Sequence, residues 1–276
     1  MKKELLISLM LLPLLSSAQQ TRAETKPFVL GSIVTLYSAE LSEQRTLNIY
    51  LPAGYSPDSA ATYPVIYLLD GSVDEDFIHV VGLVQYANFP WVNTMPKSIV
   101  VGIANVDRRR DFTFPTSIDA DKKDFPTTGG SEKFIAFLEK ELQPFINRTY
   151  KTNASRTLIG QSLGGLLATE ILYKKPQLFN QYIIVSPSLW WDKESLLALK
   201  PGLSVPGFQQ KTKVYIAVGK EGAVMENDAK NLYRKLKAIK SKEIQVSFEF
   251  FSKEDHASIM HQAVYNAFIK LNKAWR

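Results

Sequence analysis

Gly160-Gln161-Ser162-Leu163-Gly164 fits the pattern G-x-S-x-G, with the apolar pair Leu158-Ile159 before it and a run of good helix formers after it. A chain that leaves a strand and enters a helix in so few residues must turn sharply. The serine at the tip is then strained, and side chains two positions to either side would collide with the turn. Such a turn pushes the Ser162 hydroxyl out at the carboxyl edge of a sheet. The N–H of Leu163, opening the helix, can face the same point and receive an oxyanion. These residue types in this order suit nucleophilic catalysis.

A serine hydroxyl is a weak nucleophile near neutral pH and needs a base, for which histidine is best matched. The chain has three histidines, His79, His256 and His261. Where a nucleophile elbow is followed in chain order by acid and histidine, the histidine lies after the last strand. His256, in Lys253-Glu254-Asp255-His256-Ala257-Ser258, holds that place, whereas His79 and His261 fall inside helical patterns. An acid partner belongs after the strand Val214–Val218. Glu221 is the first carboxylate there, with Glu226 and Asp228 behind it as alternatives. A second oxyanion donor belongs in the turn after Leu69, at Ser72, with Asp70 and Gly71 shaping that turn. The histidines lack ligand spacing and there is no cysteine, so neither a metal nor any other cofactor is expected.

The elements that must position these groups alternate along the chain. Two strands are expected between Phe28 and Leu51, paired at one sheet edge. Continuous apolar runs at 64–69, 99–106 and 179–185 suit a sheet covered on both faces. Helices are expected over 77–88, 132–143 (capped by Ser131), 163–174, 227–240 and 259–275, and strands over 214–218 and 244–251. Residues 107–130 are polar and lack periodicity, and so read as a long functional loop. The sum is one α/β domain with a mainly parallel, doubly wound sheet and helices on both faces. In such a sheet ligands bind beyond the carboxyl ends of the strands, where Asp70, Ser162, Ser186, Glu221 and His256 all fall.

Composition sets limits. The 276 residues, 45% hydrophobic and 22% charged, suffice for a large core without disulfides. The net charge of +6 is spread along the chain apart from Arg108-Arg109-Arg110, which argues against nucleic acid and favours an anionic small molecule. Lys2-Lys3, the apolar run 5–15 and Ser16-Ser17-Ala18 read as a secretory signal peptide. Cleavage after Ala18, or after Ala23, would leave a single domain from residue 19 onward with no stable membrane insertion, periplasmic or secreted. A retained membrane anchor is the alternative, but the run is short for a span.

Taken in order, Leu68-Leu69-Asp70-Gly71, Asp107-Arg108-Arg109-Arg110-Asp111, Gly160-Gln161-Ser162-Leu163-Gly164-Gly165, Ser186-Pro187-Ser188-Leu189-Trp190-Trp191 and Glu254-Asp255-His256 resemble the esterase D-like family of α/β-hydrolases. The resemblance is strongest to its exported branch related to trilactone-siderophore esterases, and covers nearly the whole mature chain. It implies Ser162 as nucleophile, His256 as base, and Leu163 and Ser72 as oxyanion donors. It also makes Arg108, Arg110, Trp190 and Trp191 candidates for lining the substrate site. Because members vary in their acid, and some use a serine–histidine dyad, Glu221 stays open. For the arginines a solvated loop is the plainer reading, and for the tryptophans core packing of at least one ring. The implied activity is hydrolysis of a small-molecule ester through an acyl-enzyme. Acyl transfer to an alcohol, or capture of an anionic aromatic ligand without chemistry, are the alternatives.

Overall fold

In a computed structural model the protein is described over residues 23–272, so the expected signal peptide lies outside the described residues. Residues 23–30 carry no helix or strand. Among the described residues no helix is long and apolar enough to cross a membrane.

From Gly31 onward the chain builds one eight-stranded sheet of order β1-β2-β4-β3-β5-β6-β7-β8. The strands are β1 Ser32–Ser38, β2 Glu43–Tyr50, β3 Tyr63–Leu68, β4 Ile99–Ile103, β5 Thr152–Gln161, β6 Gln181–Val185, β7 Thr212–Gly219 and β8 Ile244–Phe251. β2 pairs antiparallel with both β1 and β4, and every other pairing is parallel. The helices α1 Phe77–Ala87 and α9 Ile259–Leu271 pack together, and α9 lies on β6 and β7. α6 Leu163–Lys174 covers β5 and β6, and α8 Ala223–Lys237 covers β7 and β8. All of β7 is buried, as a strand with a helix on each face must be. Along it Val214, Ile216 and Val218 join the main apolar cluster, while Tyr215 faces the Lys270 side of α9.

β3 has β4 on one side and β5 on the other, so the chain reverses its direction of travel across the sheet there. The crevice at such a switch point is where a doubly wound sheet offers its ligand site. The turns after β3 and β5 both open into it.

Two expectations are corrected by the packing. Ser131 does not cap its helix: α4 Ser131–Phe137 begins at Ser131 and the capping position is Gly130. The helix also outlasts the expected end at 143. A π turn, Leu138–Leu142, leads into α5 Gln143–Thr149, and Gln143 N–H donates to the Leu138 carbonyl, five residues back. Pro144 in the first turn of α5 lacks an N–H, and its ring crowds the preceding turn, which favours the wider turn just before it. The expected apolar face, Phe134, Phe137, Leu138 and Leu142, is buried throughout.

Residues 107–130 are not a bare loop either. They hold α2 Arg108–Phe112, capped by the Asp107 carboxylate on Arg110 N–H at 3.0 Å, and α3 Asp119–Asp124. α2 is anchored by charge. Arg45 of β2, with a fully buried side chain, donates to Asp111 at 2.7 Å and Glu43 at 2.8 Å, and its guanidinium lies 5.2 Å over the Phe134 ring. Arg110 binds the same two carboxylates, Glu43 at 2.6 Å and Asp111 at 2.8 Å. Burial works against the charge on Glu43, but its bonds to Arg110 and Arg45 prevail and hold its pKa below the ordinary 4.5.

Removing one partner from this network strands a buried cation. Asp111→Ala should lower the unfolding free energy by about 3 kcal/mol or more, read from the urea midpoint. A loss below about 1 kcal/mol would contradict a structural role for this segment. Because the Glu43 pKa is depressed in the folded chain, the stability it contributes is present above pH 4.5 and is lost as pH falls through the lower folded value.

Candidate active site

Ser162 joins β5 to α6 with φ 59° and ψ −121°, the strained conformation expected at a nucleophile elbow. The collision that demands glycine is clear on one side. A Cβ on Gly160 would sit 2.4 Å from the Gly164 carbonyl oxygen. At Gly164 itself an added Cβ would meet only ordinary contacts, the nearest at 3.4 Å. The tight approach falls instead at Gly165, 2.9 Å from Pro187. The turn is tied twice to β6 and the chain after it: Ser162 N–H donates to the Val185 carbonyl at 3.1 Å, and Ser188 N–H to the Ser162 carbonyl at 3.0 Å. Leu163 is the first residue of α6, where backbone N–H groups have no partner within the helix.

The loop after β8 brings His256 to the same rim. His256 Nδ1 is 2.5 Å from Glu221 Oε2. The imidazole is half exposed, while the Glu221 side chain is buried, with 3% of its surface accessible. Its other oxygen accepts from Ser186 Oγ at 2.5 Å and from Gly219 N–H at 2.8 Å. Burial opposes ionisation of Glu221, but the bonds from His256, Ser186 and Gly219 more than offset it, and its pKa lies below the ordinary carboxylate value. A buried anion on Nδ1 fixes the tautomer that leaves Nε2 ready to accept a proton. Gln161, beside Ser162, donates through Nε2 to the His256 carbonyl at 2.5 Å and so holds the histidine loop to the elbow. Lys220 N–H does the same from β7, donating to the Glu254 carbonyl at 2.7 Å.

Ser162, Glu221 and His256 line one cleft of about 500 Å³ with Ser188, Trp190, Lys220, Met225, Asp255 and Ala257. The alternative acids do not reach it. Glu226 pairs along α8 with Lys230 at 3.6 Å. Asp228 is buried in α8, where desolvation, and then the charge of Glu194, push its pKa up to about 6. His79 and His261 stack on each other between α1 and α9, with centroids 4.3 Å apart.

Several expected site residues stand elsewhere. Trp191 is fully buried, and its ring N–H donates to the Phe114 carbonyl at 2.9 Å; it is core, and only Trp190 faces the cleft. Arg110 belongs to the Glu43–Asp111 network. Arg108 does not line the cleft but braces it. Its guanidinium grips both oxygens of Asp70, at 2.6 and 2.9 Å, and reaches the Gln161 carbonyl at 3.3 Å. Although Arg108 is largely buried, that carboxylate raises its pKa. Ser72 is outside the cleft lining as well, with its N–H donating to Glu75 Oε2 at 3.3 Å. Ser186, expected at a strand end, meets Glu221; the residues that sequence reasoning missed are Ser188, Gln161 and Lys220. Ser188 sits inside the S-P-S motif, whose polar pair around a proline was the available signal. Nothing local marks Lys220.

The parallel sheet, the strained serine turn and the carboxylate-bound histidine at one rim define an α/β-hydrolase fold. The family model described as "Putative esterase" matches residues 38–269. The chain is 31% identical over 256 residues to the ferri-bacillibactin esterase BesA of Bacillus subtilis, covering 86% of this chain and 88% of that one. Among solved structures it is similar to an IroE-like serine hydrolase from Shewanella oneidensis, with a TM-score of 0.79, 30% identity, and 87% of this chain and 79% of that one covered. It is also similar to the BES protein from Bacillus cereus, with a TM-score of 0.81, 27% identity, and 92% and 100% covered. The chain therefore belongs to this esterase family, and it is a carboxylic ester hydrolase.

The geometry separates the three carboxylates by experiment. Glu221→Gln should reduce kcat/KM for p-nitrophenyl butyrate by about 10²- to 10⁴-fold with the fold intact, while Glu226→Gln stays within about twofold. Equal effects of the two substitutions would remove Glu221 from the site.

Proposed function

We propose that the protein is an exported serine esterase that works through an acyl-enzyme on Ser162 and cleaves the ester bonds of a siderophore. The observation that carries the mechanism is the His256–Glu221 bond inside the cleft that Ser162 also lines. Ser162 Oγ attacks the ester carbonyl while His256 Nε2 takes its proton. The imidazolium that forms is stabilised by Glu221. The oxyanion meets the N–H of Leu163 and, once an exposed Glu75 carboxylate yields its 3.3 Å contact, the N–H of Ser72. Collapse returns the proton from His256 to the leaving alkoxide and leaves the acyl group on Ser162. A water molecule, deprotonated by the same imidazole, then releases the acid and restores the serine.

The siderophore reading is supported by the 31%-identical relative, which bears the name ferri-bacillibactin esterase. Export is supported by the Lys2-Lys3 start and apolar run at 5–15. Periplasmic or extracellular placement follows from that signal.

Ser162→Ala should abolish turnover of p-nitrophenyl butyrate and of enterobactin, by about 10⁴-fold or more, without changing the thermal midpoint by more than a few degrees. Undiminished hydrolysis in that variant would overturn the nucleophile. With a competing alcohol present, free acid should be the product; an ester product would place the chemistry with acyl transfer. Activity on p-nitrophenyl butyrate and acyl-CoA but none on enterobactin, with or without iron, would overturn the substrate class alone.

A further inference from the structure

Of the three arginines whose run suggested an anionic ligand, Arg108 and Arg110 are bound by carboxylates, while Arg109 donates to the Asp124 carbonyl at 3.2 Å and lies 4.9 Å over the Phe125 ring, outside the cleft lining. Among the residues that line the cleft, one lysine and no arginine is found. Lys220 follows the last residue of β7 and lines the cleft with Ser162, His256, Trp190 and Met225. Among the described residues its ammonium has no ion-pair or hydrogen-bond partner. Its backbone is fixed between Gly219, which abuts the histidine loop, and the 2.7 Å bond to the Glu254 carbonyl. The lysine is therefore carried on a rigid strand end rather than on a free loop.

The two carboxylates that share the cleft do not claim it. Glu221 is buried and occupied by His256, Ser186 and Gly219. Asp255 accepts from the N–H groups of Ala257 at 2.9 Å and Ser258 at 3.0 Å, turned onto the chain that enters α9. Those bonds, first to Ser258 and then to Ala257, hold its pKa below the ordinary value. Trp190 presents a partly exposed aromatic ring to the same cleft, and Met225 supplies a pliable apolar wall.

We infer that Lys220 is a specificity-determining residue: its ammonium, beside the Trp190 ring, selects esters that carry negative charge over neutral esters of the same shape. This rests on the esterase reading and names the charge class of its substrate. An iron(III) complex held by catecholates carries net negative charge, whereas the metal-free catechols are largely neutral. Lys220 would thus favour the iron-loaded form of such a siderophore over the metal-free form. The attraction acts at binding, so it should appear in KM, and salt should screen it.

The test uses two substrate pairs with the full-length mature protein. 4-Acetoxybenzoate and its methyl ester share the scissile acetate, followed as acetate release, and differ by one unit of charge and one methyl group; comparing each variant's ratio with that of the wild type cancels their difference in intrinsic reactivity. Enterobactin with and without iron is the second pair. Lys220→Ala should lower kcat/KM for 4-acetoxybenzoate relative to its methyl ester by about 5- to 20-fold, through KM. Lys220→Arg should restore the ratio, and raising salt should shrink it in the wild type but not in Lys220→Ala. For enterobactin, Lys220→Ala should lower the iron-loaded over metal-free ratio in the same sense. If Lys220→Ala depresses both members of each pair equally, or leaves the ratios unchanged, the inference is overturned. If enterobactin is not cleaved at all but the acetoxybenzoate ratio responds, the siderophore reading fails and the role of Lys220 stands.

Discussion

The site depends on one steric constraint: β5 must become α6 within a single residue, and that residue is Ser162. The turn is possible because nothing projects from Gly160 toward the Gly164 carbonyl or from Gly165 toward Pro187. The cost of a positive-φ serine, about 1–3 kcal/mol, is borne by the surrounding sheet and helix. Once the turn is made, the rest follows by adjacency. β6 and the turn after it supply Val185 and Ser188 to hold it, and the turn after β3 supplies Asp70, which Arg108 clamps to the elbow carbonyl. Gln161 ties the histidine loop to it.

A second device is electrostatic. At the cleft and on α2, buried charge sits where several donors meet it. Glu221 gathers an imidazole, a hydroxyl and a backbone N–H around one carboxylate. That keeps it ionised despite burial and makes it a fixed dipole aimed along Nδ1–Nε2 of His256. Arg45, Arg110, Glu43 and Asp111 close a similar network away from the cleft, where it fastens α2 to β2. Because those charges neutralise one another, the arginine-rich segment acts as scaffold. The cleft keeps a single unspent cation at Lys220.

Much of this was legible in the sequence, for physical reasons. The G-x-S-x-G turn is short-range sterics. The apolar runs of β3, β4 and β6 are the signature of strands buried on both faces, and three histidines left few choices for a base. Glu221 could be ranked ahead of Glu226 and Asp228 by its closeness to a strand end, although only the fold shows which of them meets His256. What the sequence hid was pairing at long range. Arg110 and Asp111 meet β2 residues more than sixty positions earlier, and Trp191 meets Phe114, 77 positions away. A row of arginines and a pair of tryptophans look like ligand contacts until their partners are known. The helix at 131–149 misled for a local reason, since a serine ahead of an apolar period looks like a cap, but Gly130 already serves as one.

The most direct measurement is the site and rate of covalent labelling by a fluorophosphonate, mapped by peptide mass. The account expects a single label on Ser162, formed quickly in the wild type and at least about a hundredfold more slowly when His256 is replaced by alanine. A label on any other residue, or a rate indifferent to His256, would contradict it.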